Sequence, residues 1–162
     1  MSGGAWSSRL DNVPRPGDLA RFLRALARPT RLSALRAVVD GVVVAATLRR
    51  SGLRPLLERG ARTFGKSDLE STIAVARAVD DGMGILPFAP TCLRRSMTLM
   101  RELERQRLTA TLRIGVRTVG DRVEAHAWVQ AGDRVVNDDA ETVATYAELV
   151  AGELDTFLPM LR

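Results

Sequence analysis

The sequence predicts an α+β fold, N-terminal helices followed by an antiparallel β-meander, and three observations carry that expectation. Through the first hundred residues apolar side chains recur at three- and four-residue spacing. Residues 109–130 switch to alternation, and Gly-Asp pairs at 120–121 and 132–133 stand where hairpin turns are needed. The 162 residues, 46% apolar and 27% charged, match one ordinary globular domain. A chain of this length buries about 70% of its unfolded surface and needs no disulfide or metal staple.

Residues 1–17, rich in Ser, Gly and Pro, read as a loose N-terminus. A helical segment over 18–66 and a core over 67–162 follow, within one compact domain. Asp18 opens a helix with the stripe Leu19, Phe22, Leu23, Leu26 and Ala27, stopped by Pro29. Thr30 caps a second helix to about Leu48, with Gly52 ending it. Its most apolar stretch, residues 35–48, is interrupted by Arg36, Asp40 and Gly41. That stretch is shorter than the roughly 20 residues that cross a bilayer, so it reads as a core helix. Residues 54–62 form a further short helix leading into a turn at Gly65. Ser67 and Glu70 make an S-x-x-E capping box for a helix running to about Val79. Residues 80–90, with two glycines and two prolines, read as irregular. Thr91 caps a helix to about Arg107 with apolar positions Leu93, Met97, Leu99, Met100 and Leu103.

Strands follow. In residues 109–119, Ala110, Leu112, Ile114 and Val116 share one face; in 122–130, Val123, Ala125, Ala127 and Val129 lie opposite Glu124, His126 and Trp128. A short third strand covers 134–137, and residues 142–157 read as a helix.

Composition excludes several classes of function. One cysteine forbids an internal disulfide. One cysteine and one histidine cannot fill a structural zinc site or the usual three positions of a catalytic one, so no metal is expected. Residues 1–66 hold 13 Arg/Lys against 4 Asp/Glu, whereas 67–162 hold 11 against 15. Lys66 is the only lysine, and such Arg usage reflects base composition as readily as an anionic partner. Without runs of basic residues, and with seven aromatics, a nucleic-acid partner is not expected. The N-terminal stretch lacks a secretory signal, so the expected location is the cytoplasm, where Cys92 stays a free thiol.

Cys92 stands out by context. It follows an irregular loop by one residue past a helix cap, where the partial positive charge of unsatisfied N–H groups favours thiolate; Arg94 and Arg95 can add to that field. His126 lies mid-strand beside Trp128, on the face away from the alanine and valine stripe. If that face meets the start of the Cys92 helix, thiol and imidazole become neighbours, as in cysteine proteases. A third group to orient the imidazole comes from Asn137, Asp138 or Asp139. A three-residue loop, 131–133, places Asp138 across from His126; a two-residue Gly132-Asp133 turn places Asp139 there. Hairpin register alone leaves the choice open. Trp128 reads equally as a roof over this site or as a core aromatic, and Glu124 as solvated or structural.

The runs C-L-R-R-S-M from Cys92, L-R-I-G-V at 112–116, E-A-H-A-W-V at 124–129 and R-V-V-N-D at 134–138 together resemble the lasso-peptide leader peptidases. These are small transglutaminase-like cysteine proteases of peptide natural-product biosynthesis, and the likeness covers about residues 60–150 in order and spacing. It implies a papain/transglutaminase-like fold, a catalytic Cys92, His126 and Asp138, and no cofactor. It further implies removal of the leader from a ribosomal precursor peptide, with partners in a separate leader-recognition protein and a macrolactam cyclase. The stretch before residue 60 is too short and helical for a fused recognition domain, so a stand-alone protease is expected. Papain-like enzymes add a glutamine upstream of the nucleophile as an oxyanion donor, and no glutamine precedes Cys92 here. The N-terminal stripes are expected to pack into the core; their arginines either are solvated or guide an acidic leader or the recognition protein. Two alternatives share the fold: a transglutaminase-like acyl transferase, and a non-catalytic peptide- or nucleic-acid-binding module.

Overall fold

The computed structural model describes residues 16–51 and 62–149. Five helices are described: α1 (Pro16–Leu26), α2 (Arg31–Ser51), α3 (Leu69–Met83), α4 (Cys92–Arg105) and α5 (Ala140–Val143). The strands are β1 (Arg62–Thr63), β2 (Ala110–Val119), β3 (Arg122–Ala131), β4 (Arg134–Val135) and β5 (Ala147–Glu148). All strand pairs are antiparallel: β3 follows β2 along one edge and carries β4 beyond it, while β1 and β5 share the other edge of β2. The class is therefore α+β, with helices preceding a meander.

Both hairpins use two-residue turns. Val119 pairs with Arg122 and Ala131 with Arg134. Gly120 and Gly132 then take the first turn position at φ 60° and 62°, the left-handed region that glycine enters without a Cβ clash.

One face of the β2–β3 ribbon, Ala110, Leu112, Ile114, Ala127 and Val129, packs on Met97, Leu99, Met100 and Leu103 of α4. Val75, Val79 and Met83 of α3 and Ala37 and Val44 of α2 complete this core. The α2 helix thus shares one core with the elements after residue 67. Phe22 and Ala25 of α1 pack on Ala34 and Ala78.

Several boundaries differ from expectation. Pro16 and Gly17 are already helical, because proline's fixed φ suits the first helical position; residues 1–15 lie outside the described residues. The α1 stripe is rotated: Phe22 and Ala25 are buried while Leu19, Leu23 and Ala27 face outward. On α2 the small residues Ala34, Ala37 and Gly41 turn inward and Leu35, Val39 and Val42 are exposed, because close helix packing favours small side chains over large ones. Arg62 is extended rather than helical, since it pairs with Thr111; residues 54–61 of the expected helix lie outside the described residues.

Asp68, not Ser67, caps α3, its carboxylate accepting the Ser71 N–H at 3.0 Å. That helix continues through residues 80–83, which were expected to be irregular. Gly82 serves there as a close-approach point, since a Cβ would stand 2.3 Å from the Ala34 carbonyl oxygen of α2. The helix expected over 142–157 is a single turn, α5, followed by β5, because the outer edge of β2 offers backbone pairing: Val116 with Ala147, and the Leu149 N–H with Ile114 O at 2.8 Å. Residues 150–157 lie outside the described residues.

Charged groups fasten α2 to α4. Asp40, buried on α2, receives hydrogen bonds from Arg101 at 3.1 Å and from Arg105. Glu102, buried on α4, receives Ser33 Oγ and Gln106 Nε2, each at 2.9 Å. Burial alone would raise the Asp40 carboxyl, but the hydrogen bond from Arg105 and the charges of Arg101 and Arg105 outweigh it and hold it below the ordinary carboxylate value.

Candidate active site

Thr91 ends the irregular loop in extended conformation and its hydroxyl accepts the Arg94 N–H, so Cys92 is the first residue of α4. The Arg95 N–H goes to Thr91 O. Among the described residues this leaves the N–H groups of Cys92 and Leu93 as the unspent donors of the first turn. The thiol is free and half-buried against the apolar core. The two arginines expected beside it are otherwise engaged: Arg95 grips Asp80 through Nε and Nη2 at 2.7 to 2.9 Å, and Arg94 lies 5.6 Å from the centroid of the Phe88 ring.

His126 Nε2 lies 2.7 Å from Asp138 Oδ2, with the two side chains 17% and 22% exposed. Nε2 thus donates to the carboxylate, and Nδ1 is the ring nitrogen left to take a proton. Asp138 also accepts the Asp139 N–H at 2.8 Å.

The expected link between register and residue is overturned. The turn is the two-residue one, which in a continued ladder would bring Asp139 across from His126, yet Asp138 is the partner. The ladder stops early: after Val136 N–H bonds Val129 O at 3.0 Å, Asn137 Oδ1 takes the Val129 N–H at 2.7 Å in place of a backbone carbonyl. The chain leaves the strand there, so β4 is shorter than the 134–137 expected. Asp139 instead caps α5, and the Thr142 N–H it accepts holds its carboxyl below the usual range.

The structure ties α4 to β3 beside these residues. Ser96, one helical turn or about 6 Å beyond Cys92 along α4, is fully buried and donates to the carbonyl of Ala127, the neighbour of His126, at 3.0 Å. Asn137 Nδ2 donates to Ser96 Oγ at 2.9 Å. The cysteine-bearing helix end is thereby fixed to the strand of His126 and the loop of Asp138. No hydrogen bond runs from the Cys92 sulfur to His126 itself.

Trp128 is 3% exposed, with its ring centroid 6.3 Å from that of His126. Tyr146, which sequence reasoning missed because it fell inside an expected helix, stacks closer, at 4.9 Å and 25°. Glu124 is engaged by Arg117 through two nitrogens at 2.8 and 2.9 Å, which fits the structural alternative given for it. Ser96 and Asn137 also went unrecognised as the bracket; the only signal was that Ser96 follows Cys92 by four residues and so shares its helix face. Among the described residues, no group of three or more His, Cys, Asp or Glu side chains could hold a metal ion, and no helix is long and apolar enough to cross a membrane.

A family model described as the transglutaminase-like superfamily matches residues 34–151, from within α2 through β5. The chain belongs to the transglutaminase-like superfamily. No curated protein and no solved structure gives a significant match. The transglutaminase-like fold generally serves cysteine hydrolases and acyl transferases. A thiol at a helix N-terminus and an imidazole held by a carboxylate, on a strand that Ser96 fastens to that helix, are residue types that acyl chemistry uses.

Proposed function

We propose that this protein is a cysteine endopeptidase that cleaves the leader from a ribosomally made lasso-peptide precursor, with Cys92 as nucleophile, His126 as proton carrier and Asp138 as its orienting carboxylate. The observation that carries the reading is the 2.7 Å His126–Asp138 hydrogen bond, on a strand that Ser96 fastens to the helix headed by Cys92. The resemblance of the Cys92 and His126 motifs to leader peptidases supplies the substrate class.

In this reading the Cys92 sulfur attacks the carbonyl at the leader–core junction, and His126 takes the thiol proton through Nδ1. As the C–N bond breaks, that proton passes to the leaving amine of the core. Asp138 steadies the imidazolium. Water, deprotonated by His126, then hydrolyses the thioester, releasing the leader and restoring the thiol. The Cys92 N–H is the oxyanion donor, and loss of one such donor costs about 2.7 to 4 kcal/mol of barrier. The enzyme works in the cytoplasm with a separate leader-recognition protein, and an ATP-using cyclase closes the macrolactam on the freed core amine.

The test is incubation with precursor peptide and recognition protein, read by mass spectrometry. Leader plus core from the wild type, and intact precursor from Cys92→Ala, is the expected result. An adduct with an added amine would make the protein an acyl transferase instead, and an unchanged peptide that still binds would make it a binding module.

A further inference from the structure

The His126 side chain is held at more points than its carboxylate. Gly115 is its cross-strand partner on β2 and shares its face of the sheet. A Cβ on Gly115 would stand 3.0 Å from Tyr146 Cβ, 3.0 Å from the edge of the Trp128 ring and 2.9 Å from Ala147 O. The missing side chain is thus the space that Tyr146 occupies, and β5, pairing Val116 with Ala147, delivers the phenol ring there. Over that ring lies Arg117, its guanidinium 4.5 Å from the centroid, anchored by Glu124 and by Thr145 Oγ1 at 3.1 Å. The hydrogen bonds that Arg117 donates to the Glu124 carboxylate keep it more firmly protonated than an ordinary arginine.

We infer that Tyr146, backed by Arg117 and Glu124, is a positioning residue that clamps the imidazole plane so that Nε2 meets Asp138 and Nδ1 stays free to accept a proton. A lone hydrogen bond to Asp138 leaves the ring able to turn about its χ2, and a turned ring presents carbon Cε1 to the carboxylate in place of Nε2, so that nothing then holds the proton on Nε2. A flat aromatic surface at 4.9 Å opposes that rotation. The inference rests on the proposed role of His126, and it names a residue that touches neither sulfur nor substrate.

Because His126 is the chain's only histidine, its two nitrogens can be followed without ambiguity by long-range proton–nitrogen NMR of the neutral ring. Wild type and Tyr146→Phe, which keeps the ring face, are expected to show the Nε2–H tautomer alone. Tyr146→Leu is expected to show both tautomers, with kcat lowered roughly tenfold and KM within about twofold of wild type. A single Nε2–H tautomer in Tyr146→Leu overturns the inference. Should that variant not fold, Arg117→Gln must also mix the tautomers, and an unchanged ring there overturns it equally. The NMR readout needs no turnover: an inactive wild type with the expected tautomer pattern would remove the protease reading and keep the clamp.

Discussion

Asp138 and Asp139 are adjacent carboxylates with separate work. The first accepts from an imidazole, the second caps a helical turn. Asp138→Ala is therefore expected to lower kcat/KM by roughly ten-thousandfold, the scale on which other triads depend on their carboxylate, while Asp139→Ala stays within about threefold of wild type. Steady-state kinetics on the two variants decides it, and equal losses would strip Asp138 of its special place. Cys92, His126 and Asp138 were all legible as candidates, since each is a rare or charged residue at a position that helix and strand periods define. Tyr146 was not, because its importance comes from a vacancy on a neighbouring strand, at Gly115.

At the scale of elements, the joint between α4 and β3 is a small polar bracket in an apolar surrounding. Ser96→Ala would leave the Ala127 carbonyl and the Asn137 amide without their partner, which costs about 1 to 3 kcal/mol when such groups are buried. Urea unfolding should show that loss, and turnover should fall as well, because the helix end carrying Cys92 loses its fixed distance from His126. Full activity in a destabilised Ser96→Ala protein would show that the bracket serves the core alone. Element types followed well from pattern: α4 begins at Cys92 as its Thr91 cap requires, and β2 and β3 fall within a residue of their expected bounds. Pattern failed where pairing or packing overrode it. Gly82 and Gly84 suggested a loop, yet α3 runs on through Gly82 because the contact with Ala34 rewards an absent side chain.

Across the whole molecule, Asp40 and Glu102 lock the α2 layer to the helix that carries the thiol. The folded-state value of Asp40 lies below its unfolded value near 3.8, so its contribution is present above that pH and is lost as pH falls through the lower, folded value. Asp40→Asn is expected to cost about 1 to 3 kcal/mol at neutral pH, with the deficit shrinking below about pH 4 as the native carboxylate is protonated too. Stability curves that stay parallel from pH 7 down to pH 2 would rule this out. The core placement of α2 was expected from its apolar stretch, but not the face it presents: Leu35, Val39 and Val42 point outward while Asp40 goes in, an arrangement that partners on another helix stabilise.

The amino-acid order by itself determined the fold class, the two hairpin turns, the start of the cysteine helix and the short roster of reactive groups, because each rests on interactions within a few residues or on composition. Which aspartate meets the histidine, which serine joins helix to strand and which aromatic backs the imidazole were decided by the tertiary structure. Those answers depend on where a strand stops pairing and on what fills an empty place across a sheet, and both are set by contacts between residues distant along the chain.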